Sequence, residues 1–226
     1  MSIKLDLKIF LLLFLFLLTS QLEMYLLLML FAIIHELGHL AAGLILKFKP
    51  EEIKLTPVGL QIQFKVSDEE YKLNNVKSYT IKKAIIALAG PLTNFIIATI
   101  MIAIAQINIE LQYTYMFSLI VYSNLLIAMF NLIPIYPMDG GRVVKEILSI
   151  ILGKTKAYKI TYMISKTVLI LLTAVASIAI LYIHNIAILI IIAYLWYLEI
   201  AEIRKYNRRK NIEKLLNSIE NKESLV

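Results

Sequence analysis

The stretch MYLLLMLFAIIHELGHLAAGLIL, Met24–Leu46, decides what kind of fold this chain takes. It is apolar apart from His35, Glu36 and His39 and is long enough, at about 1.5 Å rise per residue, to cross roughly 30 Å of hydrocarbon as a helix. A charged side chain inside such a span costs on the order of 2.5–3.5 kcal/mol on insertion scales, so its presence calls for a functional reason. Positions i and i+4 lie about 40° apart around a helix, so His35 and His39 share one face, one turn apart. That spacing suits two imidazole ligands of a single tetrahedral zinc ion. Glu36 is offset by one residue, where it reaches a water rather than the ion; such a carboxylate can take the water's proton and later pass it to a leaving amine. Gly38 keeps that side of the helix open.

Further apolar runs flank this one. Ile9–Leu22 is short; Ala84–Ala105, Tyr113–Ile133, Tyr162–Ile183 and Ile186–Ile203 approach or match the length of a span. The expected fold class is therefore an all-α polytopic membrane protein with about six transmembrane helices. Composition agrees: 60% of the 226 residues are hydrophobic, 17% are charged and the mean hydropathy is +0.77, whereas about a quarter of a soluble domain is charged. The N-terminal run has a basic head but no evident small-residue cleavage site, and reads as an uncleaved first span. Of the 23 basic residues, 22 lie before the first span, between the second and third, between the fourth and fifth, or after the sixth. Lys166, early in the fifth span, is the exception and is close enough to snorkel to the same side. The positive-inside rule then puts both termini and both long connections in the cytoplasm. The net charge of +7 belongs to that asymmetry, and no nucleic-acid partner is expected. With no cysteine, the chain has no disulfide, thiolate metal site or cysteine nucleophile.

The first cytoplasmic connection contains IKLTPVGLQIQFKV, in which Leu60, Ile62, Phe64 and Val66 alternate with Gln61, Gln63 and Lys65. Period-two alternation after a Thr-Pro-Val-Gly turn predicts a small β-hairpin over Ile53–Val66, followed by a loop at Asp68–Asn75. The second connection, VVKEILSIIL, predicts a helix on or in the membrane surface with Lys145 and Glu146 outside. The tail after residue 203 reads as a basic amphipathic helix turning polar.

A catalytic zinc needs a third protein ligand. His184, the one other histidine, falls at an extracytoplasmic turn, away from the C-terminal part of the second span, and reads as an interfacial residue. Asp139 lies just after the fourth span, in NLIPIYPMDGGR, at the cytoplasmic level. Pro134 and Pro137 break the helix there, and Gly140 and Gly141 let the backbone turn the carboxylate back toward the histidines. Irregular backbone at membrane depth is tolerated where it is protein-covered or lines a watery cavity.

These segments together resemble the site-2 proteases, the intramembrane metalloproteases, whose marks are H-E-x-x-H on one span and an N-x-x-P-x-x-P-x-D-G-G segment on a later one. Here they stand as HELGH, His35–His39, and NLIPIYPMDGG, Asn131–Gly141, with Gly90-Pro91-Leu92-Thr93-Asn94 matching a further family element. The resemblance covers about residues 25–150. It implies one Zn2+ held by His35, His39 and Asp139, with Glu36 as the catalytic acid and base. It also implies that Asn131 positions substrate near the metal and that Asn94 is a supporting polar residue near the site, with a helix–helix hydrogen bond as the alternative role for Asn94. Asn124, one heptad before Asn131, reads as a packing residue. The subgroup resembled is that of stage IV sporulation protein FB, with six spans and no PDZ domain, whose members cleave a membrane-associated pro-sigma factor. Members often carry a C-terminal nucleotide-binding CBS domain; residues up to Val226 leave no room for one, so nucleotide regulation is not part of the expectation.

The expected organisation is a membrane metalloprotease domain at 1–203, with its catalytic core at about 24–150, and a basic cytoplasmic tail at 204–226. The expected partners are a membrane-associated protein substrate, the lipid bilayer and membrane regulatory proteins. Two other readings stand beside this one. A metal-binding scaffold or transporter would have no use for Glu36. A membrane zincin of another kind would take its third ligand from a later helix, where Glu199 and Glu202 are the candidates. The hairpin could also receive an extended substrate segment as an added strand.

Overall fold

The computed structural model describes residues 2–5, 17, 22–56, 59–65, 76–183, 189, 192–204, 206–208 and 211. A short strand β1 (Ser2–Leu5) precedes helix α1 (Leu22–Ile45); strands β2 (Pro50–Thr56) and β3 (Gly59–Phe64) follow. Then come α2 (Val76–Ile107), the single-turn α3 (Ile109–Gln112), α4 (Tyr115–Leu132), α5 (Asp139–Leu152) and α6 (Lys154–Ile183). Residues 192–204 form a further helix, α7.

Four of these helices, over Tyr25–Ile45, Lys77–Ile107, Tyr115–Leu132 and Lys154–Leu181, are long and apolar enough to cross a membrane. Their outer faces carry large aliphatic side chains in the open: Leu26, Leu30, Leu37 and Leu44 on α1, and Leu92, Ile96 and Ile100 on α2. Water would penalise that surface, whereas lipid tails solvate it, and the chain is an integral membrane protein. The inner faces are different. On α2, from Ala87 onward, the buried residues are Ala87, Gly90, Pro91, Asn94, Ala98 and Ala105. On α4 they are Ser123, Asn124 and Ala128. Lipid tails are as apolar as leucine, so helices in a bilayer gain most from close van der Waals approach and from hydrogen bonds between them. Small and amide side chains provide both, and α2 becomes the central helix, packed on α1, α4 and α5.

Helix α1 ends where Lys47 adopts a left-handed conformation (φ 66°) and the Phe48 amide donates back to the Gly43 carbonyl at 2.8 Å. The turn delivers Phe48 into a buried cluster with Tyr79 and Ile86. It also starts the sheet, in which β2 and β3 pair antiparallel, with Ile53 opposite Ile62 and Lys54 opposite Gln61. The expected hairpin is therefore present, although its turn residues 57–58 lie outside the described residues. The strand β1, which runs parallel to β2 with Ile3 opposite Ile53, was not anticipated and makes the sheet three-stranded, in the order β1-β2-β3. A side chain at Gly43 would run into the Phe64 ring, so this glycine lets β3 lie against α1.

Helices α2 and α6 begin eight residues before the apolar runs that announced them. The first expected span, Ile9–Leu22, lies almost entirely outside the described residues, as does the tail beyond residue 211. Of the sixth expected span, Ile186–Ile203, residues 189 and 192–203 are described, as helix, and this helix is not among the four long enough to cross a membrane.

Candidate metal centre

The α1 face that carries His35 and His39 turns inward, and both residues are buried. Helix α2 crosses it closely. A Cβ on Gly90 would stand 2.6 Å from His35 Nε2 and nearer still to His39 Nε2, so only glycine lets α2 pass beside both rings. Gly38 serves the same crossing: a Cβ there would meet Thr93 Oγ1 and the Ala89 carbonyl. Each imidazole is held from behind through Nδ1. His39 Nδ1 donates to the Ile86 carbonyl at 2.6 Å, and His35 Nδ1 donates to Asn94 Oδ1 at 2.6 Å. Both Nε2 atoms therefore face the space between the helices with a lone pair.

Asp139 arrives from the other side. Helix α4 stops at Leu132, residues 133–138 form an irregular turn with a cis Tyr136–Pro137 peptide, and α5 starts at Asp139 itself. Gly140 and Gly141 sit against the Leu132, Ile133 and Ile135 backbone with no space for a side chain, which folds the turn tightly under the new helix. A carboxylate in the first turn of a helix is favoured by the axial dipole. Its oxygen Oδ2 lies 3.0 Å from His35 Nε2 and 3.1 Å from His39 Nε2, and the two Nε2 atoms are 3.2 Å apart.

The triangle can be tested against a metal. Tetrahedral zinc ligands bonded at about 2.0–2.2 Å lie roughly 3.3–3.5 Å from one another. The observed edges fall just short of that, so a shift of a few tenths of an ångström places an ion equidistant from all three. Two imidazoles and one carboxylate are also a donor set suited to zinc, with a fourth position left open. No other such group of His, Asp and Glu occurs among the described residues.

Glu36 is half-buried and, with His39, lines a cavity of about 250 Å³. Phe48, Phe64, Tyr79 and Tyr136 give this cavity an aromatic wall, and Lys83, Arg142 and Lys145 give it basic groups. Glu146 lines it too, ion-paired with Lys145 at 3.1 Å. Lys145 and Glu146 were expected on the outer face of α5, but the ion pair lets Glu146 turn inward and become buried.

The remaining candidates separate. Asn131 is not among the residues lining the cavity; its amide nitrogen donates to the Ile127 carbonyl one turn back, at 3.0 Å. Asn94, expected near the site as a supporting polar residue or in a helix–helix hydrogen bond, is fully buried beside His35. Its amide nitrogen donates to Asn124 Oδ1 at 2.8 Å, which makes Asn124 more than a packing residue. The signal that could have found Asn124 is its polarity in the middle of an apolar span. Glu199 is buried between α6 and α7, close to Thr161 and Tyr158, and does not join the histidines. Glu202 lines the same small cavity. His184 lies outside the described residues.

Comparison with known proteins follows the same lines. The sequence profile of peptidase family M50 matches residues 23–111 and 102–175. A zinc metalloprotease of Methanocaldococcus jannaschii is 35% identical over 147 residues, 64% of this chain and 40% of that protein. Stage IV sporulation protein FB of Bacillus subtilis is 30% identical over 144 residues, 64% of this chain and 46% of that one. The matches thus span less than half the length of these two curated relatives. Among solved structures, the site-2 protease from Methanocaldococcus jannaschii superposes with a TM-score of 0.63 at 28% identity, over 88% of this chain and 89% of the other.

Proposed function

The chain belongs to peptidase family M50, and from that premise we propose that it is an intramembrane zinc metalloendopeptidase. In this reading it hydrolyses a peptide bond in a membrane-associated protein close to the cytoplasmic side. The observation that carries the proposal is the convergence of one oxygen and two nitrogens from two distant parts of the sequence, with Glu36 beside them on an open cavity. His35, His39 and Asp139 would hold the zinc ion, which would supply the Lewis acidity to polarise a carbonyl and acidify water.

The protein's own groups do the rest. Glu36 accepts the proton of the attacking water and returns it to the departing amine. The aromatic wall takes apolar side chains of the substrate. A transmembrane helix has its carbonyls occupied in i→i+4 bonds, so the substrate must be locally unwound to present one. Strand β3 has no second neighbour among the described residues, and Ile62 and Phe64 line the cavity. An extended segment can add to that edge within reach of Glu36. Asn131 is the further candidate for holding substrate. The basic groups of the cavity favour its placement at the cytoplasmic face, with both termini on that side.

The domain proposed is residues 1–203, with its catalytic core at about 24–150, and 204–226 as a cytoplasmic tail. A membrane-tethered regulator such as a pro-sigma factor fits as substrate, with other membrane proteins controlling access. The test is co-expression with candidate membrane-bound regulators, comparing the wild-type chain with Glu36→Gln by blotting for product. Product with the first and none with the second is expected; equal product from both refutes a proteolytic role for Glu36.

A further inference from the structure

Only one of the two histidines is anchored by backbone. His39 Nδ1 meets the Ile86 carbonyl, which can accept and never donate. His35 Nδ1 meets the side-chain amide of Asn94, which could present either its oxygen or its nitrogen. If the nitrogen faced His35, Nδ1 would have to be the acceptor, and the proton of a neutral ring would move to Nε2, the atom aimed at Asp139. What settles the orientation lies further back. The Asn124 amide nitrogen donates to the Ile120 carbonyl at 2.9 Å, so Asn124 must turn its oxygen toward Asn94. Asn94 must then turn its nitrogen to Asn124, at 2.8 Å, with the Phe31 carbonyl 3.5 Å away as a second acceptor. Its oxygen is left for His35. Both asparagines are fully buried, so no solvent competes for these groups.

We propose that Asn124 and Asn94 form a polar relay across α4, α2 and α1 that fixes which nitrogen of His35 carries the proton, keeping Nε2 unprotonated for metal. Both are positioning residues: Asn94 acts on the ring directly, and Asn124 acts through Asn94. This rests on the proposed metal role of His35.

The test is zinc affinity of the purified full chain by competition with a chromophoric chelator, alongside its thermal unfolding. Asn124→Leu should weaken zinc binding about 10–100-fold, the range for loss of a partner behind a metal-bound histidine. An aspartate at position 94 has two equivalent oxygens and no wrong way round. Adding Asn94→Asp to Asn124→Leu should therefore restore affinity to within a few-fold of wild type. A purely structural Asn124 predicts no such rescue. Unchanged affinity in Asn124→Leu, or a double variant as weak as the single one, overturns the relay. If Asn124→Leu fails to fold, Asn94→Leu against Asn94→Asp asks the same question: the relay requires loss in the first and retention in the second, and equal affinities refute it. His35→Ala is the reference. Zinc retained there removes His35 from the metal site and the relay with it, whereas zinc lost there while Asn124→Leu binds normally refutes the relay alone.

Discussion

Glu36 sits between two residues aimed at one point, yet the helical offset turns its carboxylate to the cavity. Replacing it by glutamine preserves shape and removes the proton acceptor. Glu36→Gln should lower turnover by roughly 10²–10⁴-fold or more while zinc content, measured by elemental analysis, stays at the wild-type level. Gly90 makes a complementary prediction. Gly90→Ala places a methyl group against both imidazoles. Overpacking of this kind costs about 1–3 kcal/mol and displaces the rings, so zinc affinity should fall at least about tenfold and thermal unfolding should come earlier. At this scale the sequence was most legible where chemistry and spacing coincide within one helix, as in His35, Glu36 and His39. Asn124 was opaque because its partner is 30 positions away on another helix. Glu146 was misread because α5 amphipathicity ranks a carboxylate as outward, whereas the Lys145 pairing lets it turn in.

Elements hold these residues in register. The turn at 133–138 carries Asp139 and is pinned by α6: the Tyr136 amide donates to Ser165 Oγ at 2.8 Å, and Ser165 is fully buried. Ser165→Ala leaves that amide without its partner, at a cost of about 1–3 kcal/mol. The expected result is a lower unfolding temperature together with weaker zinc binding, both measurable on detergent-solubilised protein; zinc binding and stability equal to wild type would contradict the clamp. For the sheet edge, proline at Gln61 and Gln63 removes backbone donors from β3. Cleavage should drop with zinc content intact, and unchanged cleavage would exclude strand addition there. The hairpin was legible from its alternation. Strand β1 was not, since four residues give too short a pattern and the partner strand lies some fifty positions on. The early starts of α2 and α6 escaped for a different reason: hydropathy marks where lipid begins, while hydrogen bonding carries a helix past that boundary. Lys77, Lys82 and Lys83 are helical and polar at once.

For the molecule as a whole, the distribution of cations predicts sidedness. The chain has no cysteine, so single introduced cysteines report cleanly. A cysteine at Asn108 should react with a membrane-impermeant maleimide on intact cells, and one at Lys154 only after permeabilisation. The reverse pattern would invert the molecule and put the cavity on the far side. On span number, four helices among the described residues meet the length and apolarity of a span, while most of the first expected span and part of the sixth lie outside those residues. The site survived that uncertainty, because all three candidate ligands come from α1 and the α4–α5 turn, which pack around α2 at the centre. What binds them into one centre is best tested by counting zinc. Wild-type chain and Asp139→Ala, purified in parallel, should contain about one zinc ion per chain and far less than one, respectively. An Asp139→Ala chain that holds one zinc as tightly as wild type would show that the aspartate is not a ligand.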